Sequence, residues 1–198
     1  MIADPTPTDC ENTQGEAEIH GQRILVAADA LLSQGGLFLG SLSPGIYARR
    51  IPAVLNGSIG NHYRHCLDHF ASLLRGPGDG LVDFDCRARD ARIESDPAFA
   101  IRATLAIRAG LADWSASMLS ARVETRCEVS DHAGAAPVTG STLGRELVYA
   151  IIHGVHHYAL ISVIAGLQGI QMPPGFGLAP STTASLRRAG TALTPGPR

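Results

Sequence analysis

Lysine is missing from this 198-residue chain, so all sixteen of its positive charges are arginines. Against eighteen acidic residues they leave a formal net charge of −2. No basic run is present, and nothing offers the electrostatic footprint of a nucleic-acid partner. The four cysteines, at positions 10, 66, 86 and 127, are never spaced as Cys-x-x-Cys. That spacing excludes a compact disulfide framework and reads as reduced thiols in a cytoplasmic protein. The first residues include Asp, Pro, Thr and Glu and lack an apolar signal core. No apolar run reaches the roughly 20 residues that span a bilayer, so no membrane is expected. A P-loop, a dinucleotide fingerprint and a Gly-x-Ser-x-Gly elbow are absent as well.

What the chain does have is clustered histidine. Six of its eight histidines lie in two short runs, Asn61-His62-Tyr63-Arg64-His65-Cys66-Leu67-Asp68-His69 and His153-Gly154-Val155-His156-His157. On a helix each residue advances about 100°, which places His153 and His157 about 40° apart, one turn from each other. That is a chelating separation for two imidazoles. His62, His65 and His69 fall within about 60° of one another and also share a face. Glu146, seven residues before His153, projects within about 20° of the same direction and is a candidate acceptor for a ring N–H.

The surrounding pattern is helical. Residues 1–15 read as a disordered tail. A first helix follows from Glu16, with Ile19, Ile24, Leu25, Ala28, Leu31 and Leu32 as its stripe, and Gly35-Gly36 ends it. Residues 37–57 are irregular apart from a helical turn near Ile46. A second helix opens at an N-capping Ser58 and stops at Gly76-Pro77-Gly78. The charged stretch Val82 to Asp90 reads as a solvated linker, with the alternative that Asp85 or Arg87 lines the site from a loop. A third helix is expected from Asp96 to Ser120. Val123, Thr125, Cys127 and Val129 alternate with charged residues as a short strand, and Pro137-Val138 is a candidate partner in a β-hairpin. The fourth helix runs from Ser141 or Thr142 to about Gln168, capped by Gly169. Residues 171–198 are irregular, with Phe176 and Leu178 placed to pack across the helices. Four useful helices over residues 16–170 predict an all-α antiparallel four-helix bundle.

Neutral imidazoles suit borderline divalent ions, and three protein ligands with open positions make a catalytic rather than a structural site. Buried ring nitrogens also need partners, which a metal supplies. A zinc protease would need Glu after the first His, where Gly154 stands. A di-iron bundle would need Glu-x-x-His pairs, which neither run contains. A mononuclear histidine site holding zinc, nickel or iron survives.

Ser58 to His69 resembles the second helix of the DinB-like (damage-inducible) superfamily, where a Gly stands about five residues before a ligand His. His153-Gly154-Val155-His156-His157 is similar to that family's His-x-x-x-His on its last helix. The family's Arg-Gly-Gln after the second His is replaced here by Tyr158-Ala159-Leu160. The resemblance implies an up-down-down-up bundle, often a homodimer, with a three-histidine divalent-metal site formed by His65, His153 and His157. His62, His69 and His156 have no counterpart in the family's pattern; the first two are candidate outer partners of the ligands, and on geometry alone His69 is an alternative that could replace or join His65. The implied activity is metal-dependent S-transfer from a low-molecular-weight thiol, as in the bacillithiol- and mycothiol-dependent relatives. A hydrolase using metal-bound water and a non-catalytic metal-binding stress-response protein are the rival expectations. Cys66 points about 100° from His65 and reads as a buried apolar residue rather than a reacting thiol.

Overall fold

The computed structural model describes the backbone of residues 7–131 and 134–190, with side chains from Gly15 onward. The chain is mostly helical. Helix α1 spans Pro7–Leu39, α2 Pro44–Tyr47, α3 Ile59–Asp79, α4 Ala91–Ser95, α5 Pro97–Ala112, α6 Leu143–Leu167 and α7 Pro180–Arg188. Strands β1 (Leu81–Asp83), β2 (Arg122–Arg126) and β3 (Val138–Thr142) form one small sheet in that order.

Helices α1, α3, α5 and α6 pack in a ring in which each touches two others. The senses follow from which residues meet. His62 meets His157 while His69 meets Tyr149, so α3 and α6 run antiparallel. Asp29 pairs with Arg108 and Gly36 approaches Thr104, so α1 and α5 are antiparallel too. Gly154 faces Leu31 and Tyr158 faces Gly35, which makes α1 and α6 parallel.

The core is a stripe problem solved at helical spacing. On α3, Ile59, Tyr63, Cys66, Leu67, Phe70 and Leu73 are buried, and on α6, Leu143, Leu147, Ala150, Gly154, Tyr158 and Ile161. Both sets recur every three or four residues. Three buried tyrosines keep their hydroxyls satisfied: Tyr47 donates to Ile93 O at 2.6 Å, Tyr63 pairs with Thr104 at 2.8 Å, and Tyr158 donates to Leu31 O at 3.1 Å. The Arg64 guanidinium on α3 holds Asp68 and reaches Glu94 of α4 at 2.6 Å.

Several boundaries differ from the sequence reading. The first helix begins at Pro7, so residues 7–15 are not a disordered tail; residues 1–6 lie outside the described part. It also runs through Gly35-Gly36, because a side chain at Gly35 would meet Tyr158 Oη at 1.9 Å. Glycine there serves close packing, not termination. Ile19 is exposed and belongs to no core stripe. Ser58 caps α3 as expected, its hydroxyl accepting from Asn61 N–H at 3.0 Å. The helix nevertheless passes Pro77 and stops only at Gly80, whose φ of 66° needs glycine. The expected third helix ends at Ala112, and Ser115 caps a separate 3-10 turn over Ala116–Ser120.

The expected short β-hairpin is corrected by a small sheet beside the helices. β2 and β3 pair antiparallel, but β1 adds to β2 in parallel, so the unit is a three-stranded mixed sheet and not an isolated hairpin. The solvated-linker reading fails with it: Val82 and Phe84 are buried, and Phe84 N–H donates to Arg126 O at 3.0 Å. The C-terminal stretch is not wholly irregular, since Pro180–Arg188 is helical; residues 191–198 lie outside the described part. Phe176 does pack inward, stacked on Tyr158 at 4.7 Å and beside Phe38 at 4.9 Å, while Leu178 stays exposed. Among the described residues, α6 is the one helix long and apolar enough to cross a membrane. That departs from the sequence reading, and its buried stripe is taken up by α1 and α3.

Candidate metal centre

The antiparallel pairing of α3 and α6 brings the two histidine runs face to face. His65 Nε2 lies 2.9 Å from His153 Nε2, and His157 Nε2 lies 3.1 Å from His153 Nε2. One ring nitrogen from each of the three comes within 4.8 Å of the other two. Ligand nitrogens about 2.0–2.1 Å from a tetrahedral zinc stand about 3.3 Å apart, so the three need little adjustment to share an ion.

Electrostatics agree with that donor role. Burial, then the neighbouring His69, His157, Arg87 and His153, push His65 down to about 2. Burial and the neighbours His69, His156 and Arg87 push His153 to about 4, and burial with His153 and His62 pushes His157 to about 3. All three rings are neutral at pH 7, the form in which an imidazole has a lone pair to give a metal. The donor set therefore fits a borderline divalent ion.

The outer histidines take different parts. His62 Nδ1 contacts His157 Nδ1 at 3.0 Å, which orients the His157 ring, while its own Nε2 is buried without a partner. His69 is buried and donates from Nδ1 to His65 O at 2.9 Å, leaving the Nε2 lone pair free. Its ring stands 4.2 Å from that of His153 and 4.6 Å from that of His65, and it stacks on Phe84 at 5.1 Å. An N–H donated to a backbone carbonyl is the usual support of a metal-ligating histidine. His156 is exposed on the outer face of α6.

Glu146 is not an acceptor for the ligands. It is buried, and its carboxylate accepts from the hydroxyl of Ser141 in β3, just before α6. Angular arithmetic put it on the right face but a turn too far along the axis.

Two contributors escaped the sequence reading. Tyr149, one turn before His153, stacks on it at 5.6 Å, and Phe84 closes the same side. The signal for Phe84 was legible: Val82 and Phe84 alternate with Asp83 and Asp85, which is strand periodicity. The loop alternative for Arg87 is what the structure shows. Asp83 Oδ1 accepts from the N–H groups of Asp85 and Cys86, both at 2.9 Å, turning the chain so that Arg87 Nη1 lies 2.7 Å from His65 Nδ1. Asp85 itself accepts from Glu128 N–H, and its charge acts on His69 without a hydrogen bond to any of the histidines.

No family model matches the chain, and no solved structure matches it. Among curated proteins, a stretch of 48 residues is 48% identical to FK506-binding protein 5 of Rhizopus delemar, covering 24% of this chain and 12% of that protein. The chain thus spans about an eighth of that protein's length, and so partial a likeness shows neither a family nor an activity.

Proposed function

We propose that the chain is a divalent-metal-binding protein of the DinB-like superfamily, whose centre activates a low-molecular-weight thiol for S-transfer. The observation that carries the metal reading is the convergence of His65, His153 and His157 on one point between α3 and α6. The helix senses support the family reading, with α1 and α6 running one way and α3 running against α6, as in an up-down-down-up bundle. Gly60 supports it as well. A side chain there would meet Glu94 O at 2.0 Å, so the position five residues before His65 is held to glycine by the approach of α4. The departure at Tyr158 has a structural cause, since that ring is buried and bonded to α1.

Zinc, nickel or ferrous iron bound there would supply a Lewis acid that lowers the pKa of a coordinated thiol or water. The residues' own parts are simpler. His65, His153 and His157 present neutral nitrogens, His62 orients His157, and Phe84 and Tyr149 exclude water from one side. Cys66 is buried and its thiol is pushed up by burial, so Cys66 supplies no thiolate at the site. We further propose a cytoplasmic protein without nucleic-acid or membrane partners. Exposed Ile19, Val26 and Ile152, flanking an apolar groove between α1 and α6, support a homodimer.

The test is metal content per chain, measured by elemental mass spectrometry on untagged wild type and His157→Ala. Near-stoichiometric metal in wild type, lost in the variant, is expected. Metal in neither, after incubation with divalent ions, would end the enzyme reading. Turnover of an electrophile only with added thiol supports S-transfer, whereas thiol-independent hydrolysis would replace it by the hydrolase.

A further inference from the structure

Arg87 makes a contact that a metal-ligating His65 cannot keep. A guanidinium only donates, so the 2.7 Å contact from Arg87 Nη1 makes His65 Nδ1 an acceptor. A neutral ring then carries its proton on Nε2, the nitrogen that faces His153. Ligation through Nε2 requires the reverse, with the lone pair on Nε2 and the proton on Nδ1. Two N–H groups would then point at each other across 2.7 Å.

The guanidinium has no other claim on it. No carboxylate lies within ion-pair distance of Arg87 among the described residues, and its Nε is buried without a partner. Asp85, two residues away, is tied to Glu128 N–H. The loop is nonetheless braced to hold Arg87 in place, by the Asp83 turn, by Arg126 on Asp83 at 3.1 Å, and by Arg75 donating to Cys86 O at 3.1 Å. A half-buried cation with spare donors, facing a ring that must become a donor, calls for an acceptor between them.

We propose that Arg87 and His65 Nδ1 form an oxyanion subsite beside the metal, for a carboxylate group on the small molecule the protein acts on. The carboxylate accepts from the guanidinium and from the His65 N–H together. It thereby removes the donor conflict, and it fixes the proton that metal ligation requires. Anion and metal binding are coupled and reciprocal, each raising the affinity of the other. This inference rests on the metal reading above and names the chemistry of the ligand for that centre.

The experiment is calorimetric zinc titration of the ligand-free full chain, with and without excess acetate, for wild type and Arg87→Met. Circular dichroism monitors folding. In wild type, acetate tightens zinc binding several-fold. In Arg87→Met, zinc binds about tenfold tighter than in wild type without acetate, the scale of one buried donor left unmatched, and acetate adds nothing. An equal acetate effect in both proteins would place the anion on the metal itself and overturn the subsite. Equal zinc affinity without acetate would overturn the donor conflict. Should Arg87→Met misfold, Arg87→Lys decides: it keeps the charge but not the fork, and an acetate effect undiminished from wild type overturns the proposal. Zinc binding to neither protein removes the metal reading and this inference with it, which separates the two failures.

Discussion

At the residue scale, His65, His153 and His157 are held far below the ordinary histidine range, mainly by burial and then by neighbouring histidines, His69 first for His65 and His153, and His153 first for His157. An unfolded histidine titrates at about 6.5. As pH falls below that value the unfolded chain takes up protons that the folded cluster refuses. Stability is therefore present above about pH 6.5 and is lost as pH falls from there toward the folded values. Thermal melts of ligand-free protein should show a lower Tm at about pH 5 than at about pH 7, with a shallower drop in His65→Ala. The same depression bears on metal binding. Histidine ligands normally release protons when a metal arrives. Here they are already bare, so calorimetry at about pH 6, repeated in buffers of different ionisation enthalpy, should find almost no proton release on zinc binding. About one proton per histidine would contradict the burial of the cluster.

At the scale of elements, the centre exists because α3 and α6 lie close enough for facing imidazoles to touch, and small residues set how closely α1 packs behind α6. Gly154 lets Leu31 of α1 press against α6, and Gly35 lets Tyr158 donate back to Leu31 O. Gly35→Ala forces a methyl group into Tyr158 and should cost about 2–3 kcal/mol, seen as a lower urea midpoint. Tyr158 follows His157 in sequence, so the same variant should bind zinc more weakly. An unchanged midpoint would mean that α1 and α6 shift apart freely. The short sheet has its own purpose among the elements. β1 carries the chain from the end of α3 back past the histidines, and the Asp83 turn after it delivers Phe84 and Arg87 to the site.

At the scale of the molecule, His65 on α3 and His153 and His157 on α6 would make a bound metal a clip between two elements far apart in sequence. An ion that binds only the folded chain adds about 2.7 kcal/mol at a hundredfold excess over Kd, or a Tm rise of about 5–10 °C for a chain of this size. Zinc should raise the Tm of wild type by that amount and leave that of His153→Ala nearly unchanged. The C-terminal stretch contributes separately. Phe176 is inserted between Phe38 and Tyr158, so Phe176→Ala should cost about 3 kcal/mol without loss of metal. Metal loss in that variant would show that the segment also braces the centre.

The sequence by itself determined the helical periodicities, the cap at Ser58, the start of α6 and the two histidine faces. Each is a local property, written in spacing along one element. It also determined that Cys66 is inside, because its position falls on the buried stripe of α3. Only the tertiary structure decided where α1 and α3 end, since Gly35 and Gly76 lie against Tyr158 and Val82 instead of breaking their helices. It likewise decided that Glu146 answers Ser141 and that Arg87 answers His65. Those partners come from segments 5 and 22 residues away in the chain. Which of several polar groups on a correct face finds which partner depends on the axial offset between packed elements, and helical spacing carries no information about that offset.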